Sequence, residues 1–273
     1  MFKRVVNALK YYGRKDKPGR YFAALFLQKT HLSSLILIRR KFYTIRFYPQ
    51  SGLARELWIY PKRRLSEEKF LETYLRPGDT VVDVGANIGT IALTAAALVG
   101  STGRVIAIEP HPRIFQYLTA QRTLNHATKL EIVQSAVGDH QGSVHFSNRG
   151  ADVMNSVTDD GTLTVPLDTL DHLLAPFQID HVDFLKIDVE GFEKAVLSGA
   201  QQTLALTNAL YIETLEEGLA HYGSSKQEIC QLLRDHGFRL YHLNRTLSDV
   251  FALRSPEAVA DRTAALVIEE IVP

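Results

Sequence analysis

Apolar residues recur at Phe2, Val5, Val6, Leu9 and Tyr12, with Lys3, Arg4, Lys10, Arg14 and Lys15 between and after them. That spacing predicts a basic amphipathic helix over residues 1–15. Lys17-Pro18-Gly19 breaks the pattern, and a second, mostly apolar helical segment is predicted over about residues 20–35. FYTIRFYP and LARELWIYP flank Gln50-Ser51-Gly52, which predicts a hairpin turning near Pro49 to Gly52. Ser66, Glu67 and Glu68 begin the next helix, because a hydroxyl and two carboxylates suit the unpaired N–H groups at a helix start. Phe70, Leu71, Tyr74 and Leu75 give that helix its apolar face.

From Pro77-Gly78-Asp79 onward, short apolar runs alternate with longer helical patterns. Strands are predicted at 80–84, 104–108, 130–134, 182–187, 209–213, 238–243 and 264–269, and helices at 88–99, 112–125, 192–205 and 225–236. Ser225 and Glu228 stand at capping-box spacing before the last of these helices, and Gly237 follows its end. The alternation predicts an α/β protein with a Rossmann-like, mostly parallel, doubly wound sheet of seven strands. The expected organisation is an N-terminal basic helical segment and hairpin over 1–64, then one α/β domain over 65–273. Within 139–170, SVHFS and TLTVPL enclose the polar stretch NRGADVMNSVTDDGT, which predicts a loop over the site.

Composition changes this picture in two ways. A chain of 273 residues, 45% apolar, can bury a substantial core. The net charge of +1 conceals an asymmetry: Met1 to Arg76 holds 18 Lys and Arg against 5 Asp and Glu, and the remainder holds 13 against 25. A basic quarter beside an acidic body implies an anionic partner or surface, or contact between the two parts. The helix at 1–15 therefore either lies on an anionic membrane or packs on the acidic body. The start has no long apolar stretch or small-residue cleavage site of a signal peptide. The most apolar window, YFAALFLQKTHLSSLILI, is interrupted by Gln28, Lys29, Thr30 and His31, against a membrane span. A cytoplasmic protein with no nucleic-acid partner is expected, and peripheral contact at the inner face of the membrane follows from the first of the two placements of the helix at 1–15. Cys230, the single cysteine, lies in a helical pattern and is expected to pack as a small hydrophobe.

The chemistry concentrates where strands end. VVDVGANIG runs a buried strand into a glycine turn that opens a helix, the first βα unit of a nucleotide-binding fold. Asn87 stands where the dinucleotide fingerprint places a second glycine against a pyrophosphate. A cofactor without phosphates has no need of that glycine, and S-adenosylmethionine (SAM) is such a cofactor. Ligands of doubly wound sheets bind at the carboxyl ends of the strands. Those ends carry Asp83, Glu109, Ser135 with Ala136, Asp188 with Glu190, and Glu213. Glu109 lies 24 residues after Gly85, where an acidic residue accepts from ribose hydroxyls. Carboxylates so gathered repel one another unless a cation compensates, and a sulfonium with an ammonium group is such a cation. His111 either reaches the pocket or is a solvated residue at a helix start, and the second is expected.

RPGDTVVDVGANIGTIALTAA, VIAIEPHPRIFQYL, IVQSAVGD and VDFLKIDVEGFEKAVLSGA, in that order and spacing, resemble the FkbM family of SAM-dependent methyltransferases. The resemblance covers about residues 56–215 and leaves the first 40 residues outside. It implies a class I methyltransferase that O-methylates a hydroxyl of a sugar, glycan or natural product. It further implies that Gly85, Ala86, Asn87 and Gly89 line the methionine part of SAM, with Asp83 near its ammonium. Glu109 would hold the ribose, Pro110 would shape that turn, and Ser135 and Ala136 would border the adenine. Asp188 would face the transferable methyl group. Asp188, Glu190 and Glu213 are the candidate catalytic carboxylates. No metal is expected, since a divalent ion on those three would compete with the cationic cofactor. The rivals are a nicotinamide-dependent oxidoreductase, against which Asn87 argues, and a membrane-surface adaptor that uses the basic N-terminus.

Overall fold

The computed structural model describes residues 17–148, 155–243 and 248–272. The helix expected at 1–15 and part of the loop expected within 139–170 lie outside them. The described chain begins with helix α1 (Pro18–Lys29), hairpin strands β1 (Leu37–Arg39) and β2 (Thr44–Arg46), and helices α2 (Gly52–Ile59) and α3 (Ser66–Tyr74). There follow β3 (Thr80–Val84), α4 (Thr90–Val99), β4 (Arg104–Ile108), α5 (Pro112–Leu124) and β5 (Leu130–Val133). Short strands β6 (Ala136–Gly138), β7 (Gly142–Phe146) and β8 (Leu163–Thr169) precede α6 (Leu170–Leu174) and β9 (Phe184–Ile187). The chain continues through α7 (Glu193–Ser198), α8 (Gln201–Leu206), β10 (Ala209–Glu213), α9 (Glu216–His221) and α10 (Lys226–Asp235). It closes with β11 (Arg239–Leu243), β12 (Asp249–Leu253), α11 (Ala260–Thr263) and β13 (Ile268–Glu270).

The central sheet has eight strands in the order β13-β11-β12-β10-β9-β3-β4-β5. The run β10-β9-β3-β4-β5 is parallel, and β12, β11 and β13 add antiparallel pairings at one side. Strand order reverses between β3 and β9, so the carboxyl ends of these two define the switch point. Val81 and Val105 face one hydrophobic cluster and Val82 and Ile106 another, as expected of a sheet covered on both sides. β6, β8 and β7, in that order, form a separate three-stranded sheet.

The N-terminal segment is fastened to this body. Tyr21, Ile45, Phe47 and Leu57 join the same cluster as Ile88 and Leu93 of the first βα unit. The Asn125 side chain accepts from Thr44 N–H and donates to Thr44 O, both at 2.7 Å, imitating a neighbouring strand for β2. Buried Glu68 accepts from Tyr43 Oη at 2.5 Å and from Arg40 Nη2 at 3.0 Å, tying the hairpin to α3.

Four expectations are corrected. LARELWI is helical and the hairpin turns earlier, between β1 and β2. Ser51 Oγ accepts from Ala54 N–H at 2.9 Å, so the residue taken for a turn is an N-cap ahead of strong helix formers. The helix expected at 192–205 breaks into α7 and α8 at Gly199-Ala200, where a Cβ on Gly199 would lie 1.9 Å from Gly138 O. The sheet has eight strands because β12 is inserted antiparallel between β10 and β11, without the helical crossover that signals a parallel strand. The last strand is confined to Ile268–Glu270, after the helical turn α11. Cys230 is buried in α10. Among the described residues no helix is long and apolar enough to cross a membrane.

Candidate active site

The turn after β3 is built by backbone that only particular residues tolerate. Gly85 has φ +78°, and a Cβ there would sit 1.9 Å from Asp188 O, so this glycine lets the ends of β3 and β9 touch. Asn87 occupies the left-handed region at φ 52°, which asparagine tolerates better than most residues, and its Oδ1 accepts from Ile88 N–H at 2.7 Å. Gly89, at φ +91°, begins α4 under Leu118, whose Cδ1 would be 2.5 Å from an added Cβ. Glu109, at the end of β4, is pinned by two backbone donors at 2.9 Å, Asn87 N–H on Oε2 and His111 N–H on Oε1.

A cavity of about 250 Å³ opens at this switch point. Gly85, Ala86, Asn87, Glu109, Pro110, Ser135, Ala136, Asp188 and Glu190 all line it. Ile108, Val137, Phe146 and Val157 make its apolar side. Ser135 is buried and its Oγ donates to Ala136 O at 2.7 Å.

Asp83, Gly89 and Glu213 fall outside this lining. Asp83 is fully buried, and its Oδ1 lies 3.4 Å from Lys186 Nζ. Lys186 Nζ also lies 3.2 Å from Asp188 Oδ2 and borders the cavity, so Asp83 meets the site through a lysine. Burial pushes the Asp83 carboxyl above its usual range against the pull of Lys186. Burial opposes the charge on Lys186 too, but Asp188 and Asp83 outweigh it and hold the ammonium above lysine's usual range. Lys186 is therefore a fixed cation.

Glu190 sits at φ 57°, followed by Gly191 at φ +105°, where an added Cβ would lie 2.3 Å from Gly218 O. Glu193 Oε1 holds this loop by accepting from Val189 N–H at 3.1 Å and Gly191 N–H at 3.2 Å. Desolvation within the cleft, then the charges of Asp188 and Glu193, push the Glu190 carboxyl up to about 7. Burial and the neighbouring carboxylates, Asp188 foremost, push Glu213 up to about 8. Among the described residues no group of acidic, histidine or cysteine side chains is arranged to hold a metal ion.

His111 is corrected: it is buried, its Nδ1 accepts from Arg113 N–H at 3.2 Å, and it caps α5 in place of facing solvent. Lys186 and Glu193 were the functional side chains that periodicity missed, because a lysine inside an apolar strand carries no period of its own. The contributions of Leu53, Leu65 and Glu67 to the cavity were equally unreadable, since they depend on how the N-terminal segment docks.

A glycine turn at the switch point, an acidic residue ending the next strand, small residues ending the third and a largely parallel sheet define a Rossmann-like class I methyltransferase. The methyltransferase FkbM domain family matches residues 83–240, more than half of the chain, and the protein belongs to that family. It is a SAM-dependent methyltransferase. The chain is 26% identical over 197 residues to the hexuronic acid methyltransferase AglP of Haloferax volcanii, covering 71% of this chain and 77% of that protein. It is 23% identical over 164 residues to the 2-O-methyltransferase NoeI of Sinorhizobium fredii, covering 53% of this chain and 66% of that one. A crystal structure of an FkbM methyltransferase from Methylobacillus flagellatus KT superposes with a TM-score of 0.46 at 16% identity, covering 85% of this chain and 59% of the other.

The cavity fits SAM by the chemistry of its donor set. Glu109 brings to the cavity lining a carboxylate, the group that accepts from vicinal hydroxyls, Ala136 and Val137 offer an apolar wall to a purine, and Asp188 and Glu190 bring carboxyl groups suited to a sulfonium.

Proposed function

We propose that the enzyme transfers a methyl group to a hydroxyl of a sugar or glycan. The observation that carries this reading is that Asp188 and Glu190 line one cavity in unlike surroundings: Asp188 is paired with Lys186, and desolvation pushes the Glu190 carboxyl up to about 7. An alcohol needs a proton acceptor as it attacks, and a group titrating near the working pH suits that task. The name of the hexuronic acid methyltransferase AglP supports a saccharide acceptor, and that of the 2-O-methyltransferase NoeI supports transfer to oxygen.

SAM supplies an electrophilic methyl group on a positively charged sulfur. In this reading Glu109 accepts from the ribose hydroxyls and Pro110 holds the turn beside it. Gly85, Ala86 and Asn87 bound the methionine end, Ser135 and Ala136 border the adenine, and Gly89 packs α4 tightly enough to shape the turn. Asp83 anchors Lys186, and Lys186 fixes Asp188, which orients the acceptor hydroxyl. Glu190 takes the proton, with Glu213 behind it.

Incubation with methyl-labelled SAM and a glycoside panel is expected to label a saccharide at oxygen; label on nitrogen-containing acceptors alone would overturn the assignment. Glu109→Ala is expected to weaken SAM binding by about 1.5–3 kcal/mol, the range for a hydrogen bond to a charged group. Titration calorimetry checks this, and an unchanged affinity removes Glu109 from the ribose.

We also propose that residues 1–15 rest on the anionic inner face of the cytoplasmic membrane, a reading supported by their basic amphipathic pattern. The full chain is expected to sediment with anionic vesicles at low salt and a chain starting at Arg20 to remain in solution. Equal behaviour of the two overturns it.

A further inference from the structure

The interior of the cavity is acidic, with Glu67, Glu109, Asp188 and Glu190 in its lining against the one cation Lys186 among the described residues. Its flank has the opposite sign. A groove that shares Leu53, Leu65 and Glu67 with the cavity is lined by Lys62, Arg63, Arg64 and Lys69. A second shallow groove continues from Lys62 and Arg63 to Lys17 and Arg20. Against these six cations the two grooves carry only Glu56 and Glu67 among their lining residues.

Part of that charge is spent within the protein. Arg63 Nη1 meets Glu56 Oε1 at 2.9 Å, and Arg64 Nη1 meets Glu72 Oε2 at 2.7 Å. The Arg20 guanidinium lies over Trp58 and the Lys17 ammonium over Tyr60. Lys62 and Lys69 are exposed and have no ion-pair partner among the described residues. Six basic residues of the N-terminal quarter thus line grooves that adjoin the cavity, while the sequence beyond Arg76 is acidic. Glu67, on the first turn of α3, stands where the cavity and the groove meet. A ligand that crosses this junction passes from positive surroundings to negative ones.

We propose that the methyl acceptor is an anionic saccharide, whose carboxylate or phosphate seats in the groove at Lys62 and Lys69 while a hydroxyl reaches Asp188 and Glu190. The proposal rests on the reading of the site as a saccharide O-methyltransferase. The polarity suits both substrates of one reaction. The cationic donor is held by the acidic interior, and the acceptor's negative charge is kept outside it, where it would otherwise meet Asp188 and Glu190. Opposite potentials on an entrance and its ligand also steer encounter.

The test is the initial rate of transfer from labelled SAM to a panel of glycosides, each presented in neutral, uronate and phosphorylated form. The wild-type chain is compared with a Lys62→Glu/Lys69→Glu double variant, whose two exposed sites leave the core untouched. The anionic forms are expected to be preferred in kcat/KM by about tenfold or more, and the double variant to lose that preference, as does the wild type at high salt. The uronate and phosphate arms distinguish which anion the groove takes. Equal rates on neutral and anionic forms, or a preference untouched by the double variant, overturn the proposal and leave the saccharide reading standing. If no saccharide in any form is methylated, the saccharide reading falls and this proposal falls with it.

Discussion

Lys186→Met is expected to destabilise the protein by about 3–5 kcal/mol, the usual consequence of removing one partner from a buried ion pair. Lys186 and Asp83 are both buried, and among the described residues neither Asp83 oxygen has a hydrogen bond to fall back on. Without the ammonium, Asp83 must either stay charged without compensation or take up a proton. Its carboxyl is already raised by burial, so the second route opens as pH falls. The sign follows from linkage. A carboxyl whose pKa is higher in the folded state favours folding at low pH, and that contribution is lost as pH rises through the folded value. The penalty of Lys186→Met should therefore be smaller in acid than at neutral pH. Adding Asp83→Asn should recover part of the lost stability, because an amide carries no charge to compensate. Urea unfolding of the single and double variants across that pH range checks both statements. A Lys186→Met protein as stable as the wild type, or one that Asp83→Asn does not rescue, would remove the ion pair from the account.

The parallel half of the fold was legible because each strand there is followed by a helix, and both carry strong periods. Val81, Val82 and Val84 form an uninterrupted apolar face pair around Asp83, and the glycine turn ends them where the structure ends β3. The antiparallel side was less legible. β12 is a five-residue run reached without a helical crossover, and nothing local distinguishes it from a loop with apolar residues. The hairpin was displaced for a related reason. Gln50-Ser51-Gly52 carries turn chemistry, but the same serine serves as an N-cap, and only docking against α1 and the core decides between the two.

The site divides in the same way. Glu109, Asp188 and Glu190 were found because strand ends at a switch point are where ligands go. Asp83 sits on the same strand end by sequence, yet the pleat turns its side chain into the protein, onto Lys186. Lys186 was hidden because its partners come from two strands, β3 and β9, that are distant in sequence and adjacent in space.

The pH dependence of turnover is expected to separate the carboxylates that the sequence alone left together. A proton acceptor must be ionised, so activity is lost as pH falls through its pKa. Glu190 is held at about 7 by desolvation and by its neighbours, which places an acid limb in kcat/KM for the acceptor in the neutral range. Saturating SAM brings a positive charge beside Glu190 and should move that limb to lower pH. Asp188→Asn keeps the shape of the side chain but gives Lys186 a weaker partner, so turnover should fall about 10²-fold with the limb retained. Glu190→Gln should cost a similar factor and abolish the limb, because no group titrating there then remains at the reacting hydroxyl. Glu213, pushed up to about 8 and outside the cavity lining, provides the control. Its replacement by glutamine should leave the limb in place, because desolvation, Asp188 and Glu193 are what raise Glu190. If the limb survives in Glu190→Gln and disappears in Glu213→Gln, the proton travels to β10 and Glu190 is a bystander at the rim.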